Sequence, residues 1–185
     1  IIVVSDAQLT STGSKAVRSY MREEQAPTYP VFGVTSADVS RMEYDTETQS
    51  RFLTLPGGTL ILMHESLACH LATVSAYYAN GRVVHAHLDF AHFELHIVGV
   101  YGVSSPLENP HKQAIYRDTA HAIQEVLKSI GSKPCVVCGD FNGVSQPRDR
   151  HNDQLQPYDR DPRNPCHILS ARGYLDCYRE RHPMR

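Results

Sequence analysis

Several things are missing from this sequence, and each absence narrows the choice of function. No hydrophobic stretch approaches the roughly 20 residues that a membrane-spanning helix needs; apolar runs such as Leu60–Met63 and Ile97–Val100 are the size of strands. The chain lacks the even, regularly spaced cysteines of a secreted disulfide scaffold: it has 5, scattered singly apart from Cys135 and Cys138, so a reducing, intracellular compartment is expected. It also lacks overall basicity. At a net charge of -2 it has no general attraction for nucleic acid, and any such contact must be local. No internal repeat or low-complexity tract occurs. The chain opens at Ile1 inside an apolar run, with neither an initiator methionine nor a signal-peptide pattern, and stops at Arg185. It therefore reads as an excerpt, truncated at both termini.

What is present suits a folded domain. Hydrophobic residues make up 41% of the 185, enough for one core, so residues 1–185 are expected to form a single domain. Ile1–Val4 is a β-branched run with the pattern of a strand buried on both faces. A helix is expected over Ser14–Glu24, a short strand at Val31–Val34, a surface excursion over 35–56 and a strand over Thr59–Met63 behind Gly57 and Gly58. Val83–Asp89 and Phe93–Val100 are close enough in sequence to pair as a hairpin. From Asn109 or Pro110 to Gly131, apolar residues recur every three or four positions and predict a long helix. Cys135–Cys138 reads as a buried strand and 143–163 as a long irregular loop. Asn164 and Pro165 open a short helix, and a second helical turn is expected over Leu175–Arg181. Strands outnumber helices and arrive in hairpin-like pairs, so the class is α/β or α+β, with layered sheets and helices outside.

The chemistry centres on Gly139-Asp140-Phe141-Asn142. A strand running into this sequence places a carboxylate and a carboxamide two residues apart, so both can project to one side. Asp140 can orient or deprotonate a water, and the Asn142 amide can donate to a phosphoryl oxygen. Asp and Asn also build ordinary turns after strands, and the residues alone leave both readings open.

A hydrophobic strand followed by Gly-Asp-Phe-Asn resembles the most specific motif of the endonuclease/exonuclease/phosphatase superfamily. Val98-Gly99-Val100-Tyr101 is similar to that family's tyrosine-ended strand, and Gly57-Gly58-Thr59-Leu60-Ile61-Leu62 to its glycine-led central strand. Val4-Ser5-Asp6-Ala7-Gln8-Leu9 resembles the segment that carries the acidic metal ligand. The resemblance implies a layered sandwich of two mostly antiparallel β-sheets flanked by helices. It further implies hydrolysis of phosphoesters with magnesium, manganese being an alternative. Asp140 would be the general base, Asn142 and Tyr101 its catalytic partners, Asp6 the metal ligand and Ser104 a weak phosphate donor. Asp6 stands where the family commonly has glutamate, and Gly102-Val103-Ser104-Ser105 where it commonly has proline and then a polar residue. The family's closing Asp and His segment would lie beyond Arg185, so the isolated chain is expected to be inactive. Leu169–Arg179 followed by Arg181-His182-Pro183 resembles the endonuclease domains of non-LTR retrotransposons. That implies DNA as partner, a reverse transcriptase in the same polyprotein and a nuclear setting. The same residues also read as an amphipathic helix with Leu169, Leu175 and Tyr178 packed inward.

Other constellations compete. His85, His87, His92 and His96 crowd the hairpin, and His85 and His87 share a strand face at a spacing able to chelate zinc or copper. No cysteine or carboxylate obviously completes a tetrahedral set, which favours core or solvated histidines over a metal-binding module. Cys135 and Cys138, three apart on a strand, point to opposite faces and lack a second pair. Arginines concentrate toward the C-terminus, but Asp149, Asp153, Asp159 and Asp161 alternate with them, so a solvated loop is a simpler reading than a phosphate-binding strip. A non-catalytic relic of the fold, and a phosphatase acting on nucleotides or phosphoinositides, complete the alternatives.

Overall fold

The computed structural model describes residues 1–5, 31–35, 58–77 and 81–182. The chain divides into two compact units, the first of residues 1–101 and 125–140, the second of 102–124 and 141–185. The helix expected over Ser14–Glu24 and most of the excursion over 35–56 lie outside the described residues.

In the first unit, β1 (Ile2–Val4), β2 (Val31–Thr35) and β3 (Leu60–His64) form an antiparallel sheet with β3 in the middle. After a one-turn helix, α1 (Glu65–Ala68), come β4 (Leu71–Tyr77), β5 (Val83–Asp89), β6 (Glu94–Tyr101) and β7 (Cys135–Asp140). These four pair in sequence order, antiparallel except for the parallel β6–β7 pair. A parallel neighbour needs a long crossover, here residues 102–134 with the helix α2 (Pro110–Ile130) inside them. The two sheets share a core: Ile61 of β3 is buried with Val84, Ala86 and Leu88 of β5 and Ile97 of β6. Their side chains alternate out of the pleat with period two, and each is worth about 1.5–3 kcal/mol when fully removed from water, alanine less.

Helix α2 starts where Asn109 Oδ1 accepts the Lys112 N–H, at 2.9 Å, and ends at Gly131. It buries Tyr116, Thr119, Ala120, Ile123, Val126, Leu127 and Ile130, the stripe that its periodicity foretells. The second unit holds the part of α2 up to Gln124, two 3₁₀ turns at Pro147–Asp149 and Pro157–Arg160, α3 (Pro165–Ala171) and α4 (Cys177–Arg181). Asn164 Oδ1 caps α3 through the Cys166 N–H, and the Asp176 carboxylate caps α4 through the amides of Tyr178 and Arg179.

One strand was missed and four expectations need correction. Strand β4 was not foreseen. Ile1–Val4, expected to be buried on both faces, has Ile1 half exposed, and β1 is an edge strand among the described residues. β7 is also an edge strand, and Val136, expected inside, is 51% exposed because no described strand lies beyond it. Leu175 and Tyr178 are exposed too, since α4 is a single capped turn, too short to bury a stripe. Finally, the loop over 143–163 is not simply solvated. Its Asp159 is completely buried, accepting from both Arg150 nitrogens at 2.6 and 3.0 Å and from the amides of Val144 and Gln156 at 3.1 and 2.8 Å. The Asp159 carbonyl receives the Asn164 amide and lies 2.6 Å from the His167 ring. Arg163 pairs with Asp161, and Arg179 with Asp149, so these arginines are committed to internal acids.

Candidate active site at the end of the four-stranded sheet

Strands β6 and β7 run parallel and end together, so the register sets Tyr101 beside Asp140. Residues 95, 97, 99 and 101 of β6 share a face, and Leu95 and Ile97 belong to the core with Ile61. Tyr101 and Asp140 therefore stand on the inter-sheet face, at its open end, with Asp140 exposed.

Two residues that no motif singled out hold this end together. The Ser5 hydroxyl donates to the Val100 carbonyl at 3.2 Å and accepts the Asp140 N–H at 3.0 Å, tying the end of β1 to both strands. Arg82 lies on the other side of Tyr101. Its carbonyl accepts the Tyr101 N–H at 2.7 Å, its guanidinium donates to the Tyr101 carbonyl at 3.2 Å, and the same guanidinium sits 4.6 Å from the Tyr101 ring centre. A positive charge is thus held against the Tyr101 ring. The contacts span 19 to 135 residues of sequence, and no local pattern announces them.

The glycine of the motif serves the backbone. Gly139 has φ of 139°, and a Cβ there would lie 1.9 Å from the Val100 carbonyl oxygen, so its part is close approach between strands. The expectation that Asp140 and Asn142 project alike from one strand does not hold. β7 stops at Asp140, and Asn142 is left-handed, with φ of 49°, so strand alternation no longer applies. In the second unit Asn142 Nδ2 donates to the Gly102 carbonyl at 3.1 Å, and Ser104 is an exposed loop residue. Asp6 lies outside the described residues. Among those described, this edge offers hard oxygen donors but no group of three acidic or imidazole ligands. Asp140 is a carboxylate of the kind that a hard divalent cation takes alongside water and substrate phosphate.

A second constellation occupies the opposite face of the same sheet. His87 and His96 are cross-strand partners, and His85 and Glu94 alternate onto their side. His85 and His96 are buried, and a ring nitrogen of each lies 2.8 Å from the other (Nε2 and Nδ1 respectively). The His96 ring stacks on His87 at 4.5 Å and on His85 at 5.1 Å. Burial, followed by the neighbouring His96 and His87, pushes His85 down to about 4, so its ring is neutral near pH 7. Burial and His87 push His96 down as well, against the pull of Glu94. Glu94 Oε2 lies 3.0 Å from His87 Nε2 and 3.3 Å from His96 Nε2. The carboxylate thought to be missing from a tetrahedral set is therefore Glu94, and the spacing Glu94-x-His96 was its signal. His92 is exposed and lies outside the cluster.

No family model matches the chain, and no curated protein matches it in sequence. Solved structures do match in fold. An AP endonuclease from Archaeoglobus fulgidus aligns over 100% of this chain and 76% of its own, with a TM-score of 0.55 at 16% identity. The 3′ phosphatase NExo from Neisseria, bound to a product DNA hairpin, aligns over 99% and 76% with a TM-score of 0.55 at 14% identity. An AP endonuclease from Leishmania major aligns over 98% and 69% with a TM-score of 0.51 at 15% identity. The chain shares the layered α/β fold of these structures.

Proposed function

We propose that this chain is the greater part of a divalent-metal-dependent phosphodiesterase domain acting on DNA, the nicking endonuclease of a non-LTR retroelement. In this reading residues 1–185 form one domain, extended at both ends in a nuclear polypeptide that also carries a reverse transcriptase. The observation that carries the hydrolytic reading is the in-register pairing of Tyr101 with Asp140 at the open end of the parallel strands, with Ser5 bonded to the Asp140 amide and Arg82 to Tyr101. DNA is the proposed substrate because the fold neighbours include AP endonucleases and a phosphatase bound to product DNA.

Asp140, exposed and acceptor-rich, takes the role of general base, orienting a water for in-line attack and receiving its proton. Tyr101 and the Asn142 amide donate to phosphoryl oxygens, with Ser104 a weaker donor. Arg82, held against Tyr101, adds a preorganised positive charge for the negative charge that develops on phosphorus. Asp6, next to Ser5 in the chain, is the proposed magnesium ligand, with manganese as a substitute. When bound, the metal would supply Lewis-acid stabilisation of the phosphoryl and leaving oxygens.

The test is single-turnover nicking of supercoiled plasmid in magnesium by the parent polypeptide, wild type against Asp140→Asn, beside thermal melts. Abasic and 3′-phosphate duplexes serve as further substrates. Loss of the base should slow cleavage by about 10²–10⁴-fold, with an unchanged melt, since Asn serves a turn as well as Asp does. An unchanged rate refutes the assignment of Asp140.

A further inference from the structure

We propose that His87, Glu94 and His96 form a binding site for a zinc-class divalent cation, with His85 holding the His96 ring in its ligating tautomer. The site is independent of the phosphodiesterase reading. It lies on the other face of the sheet, and five residues of β6 at about 3.3 Å each separate His96 from Tyr101.

Three observations carry the proposal. First, the donor atoms converge. With metal–nitrogen and metal–oxygen distances of about 2.0–2.2 Å, tetrahedral zinc sets its ligand atoms roughly 3.3 Å apart. The nitrogens here lie 3.0 and 3.3 Å from Glu94 Oε2, and the three ligand atoms are all within 4.8 Å of one another. Second, Nε2 of His87 and Nε2 of His96 are both shielded from water, and neither makes a hydrogen bond of acceptable geometry. Leaving two such groups unmade is costly unless something else takes their lone pairs. Third, His85 is placed to hold the His96 tautomer. His85 Nε2 lies 2.8 Å from His96 Nδ1, so it can accept a proton carried there, and in that tautomer the Nε2 lone pair of His96 faces the Glu94 side of the cluster. Liganded histidines generally place their remaining N–H in this way.

Two imidazoles and one carboxylate select the cation. Magnesium and calcium prefer all-oxygen shells, whereas this mixed set suits zinc, with copper and nickel as competitors, and leaves a fourth position for water. Lys133 marks the same place electrostatically. Its ammonium, on a half-exposed side chain, reaches Glu94 at 3.0 Å, where it balances the carboxylate and must swing aside for a divalent ion.

The chain, stripped of metal with a chelator, is titrated with zinc by calorimetry, and cobalt is added in parallel to read its tetrahedral visible bands. One site is expected. Glu94→Gln should weaken it by about 10- to 100-fold, and His85→Gln, which removes the orienting partner, by about tenfold or more. Lys133→Ala should tighten it several-fold, the opposite sign from any loss of structural support. Glu94 and Lys133 are at the surface, so neither variant depends on the buried histidines folding. Absence of zinc binding would overturn the proposal. So would an affinity indifferent to Glu94→Gln and Lys133→Ala, or one that disappears in a Cys135→Ser, Cys138→Ser double variant while Glu94→Gln keeps it.

Discussion

The first unit buries a cluster of histidines and the second buries an aspartate, and the two clusters solve the same problem in opposite ways. Asp159 is a full charge with no exposure, and its acceptor positions are taken by Arg150 and two backbone amides. His85 and His96 have their pKa values pushed down by burial and stack on one another, and Nε2 of His96 and of His87 converge on a single carboxylate oxygen of Glu94. A charge satisfied on every side is a clamp, because nothing more can bind to it. Ring nitrogens that converge on one carboxylate oxygen have capacity left over, and that is what a ligand uses.

The contrast breaks most visibly at Asp159. Asp159→Ala should strand Arg150 and two amides and cost about 3 kcal/mol, read as a lower urea midpoint at unchanged slope. If the loss is only a few tenths, the network is decoration and the contrast fails. The acid limb sharpens it further. Burial alone would raise the Asp159 carboxyl, but the Arg150 guanidinium and the Gln156 and Val144 amides outweigh it and hold the group below its ordinary value. A depressed carboxylate stabilises the fold fully above its unfolded value, about 3.9, and the contribution is lost as pH falls through the lower folded value. Melting temperatures recorded from pH 6 to 2 should therefore drop more steeply below pH 4 in wild type than in Asp159→Asn. The smallest effect belongs to the histidine side. With chelator present, Glu94→Gln should leave the urea midpoint essentially unchanged, since its ion pair with Lys133 is exposed and screened by solvent. A larger loss in metal-free buffer would make Glu94 a structural residue.

Periodicity makes the hairpin of β5 and β6 and the long helix legible in the sequence, because both bury strong apolar patterns and the helix begins and ends at recognisable caps. Leu71–Tyr77 escaped notice. Its Ala72, Thr73, Ser75 and Ala76 give a weak alternation, and β4 is a strand because β5 offers a partner. Val136-Val137 looks doubly buried, yet strand order is a non-local property and the described sheet ends there. At the candidate site, Tyr101 and Asp140 could be named through family resemblance. Ser5 and Arg82 could not, since their value lies in bonds to residues far along the chain. Asn142 was named for the wrong geometry, its left-handed backbone being invisible to a strand pattern.

Gly139 has a bearing on how degenerate copies of such a sequence should be interpreted. With φ of 139° and the Val100 carbonyl in the space a Cβ would fill, any other residue there would disrupt the β6–β7 pair. A copy that had lost all activity but still needed to fold would keep this glycine, whereas the exposed Asp140 beside it would be free to drift. The four letters of Gly-Asp-Phe-Asn thus carry unequal information. Persistence of the first reports a folded chain, and under the general-base role proposed for Asp140 it is persistence of the second that reports a working one.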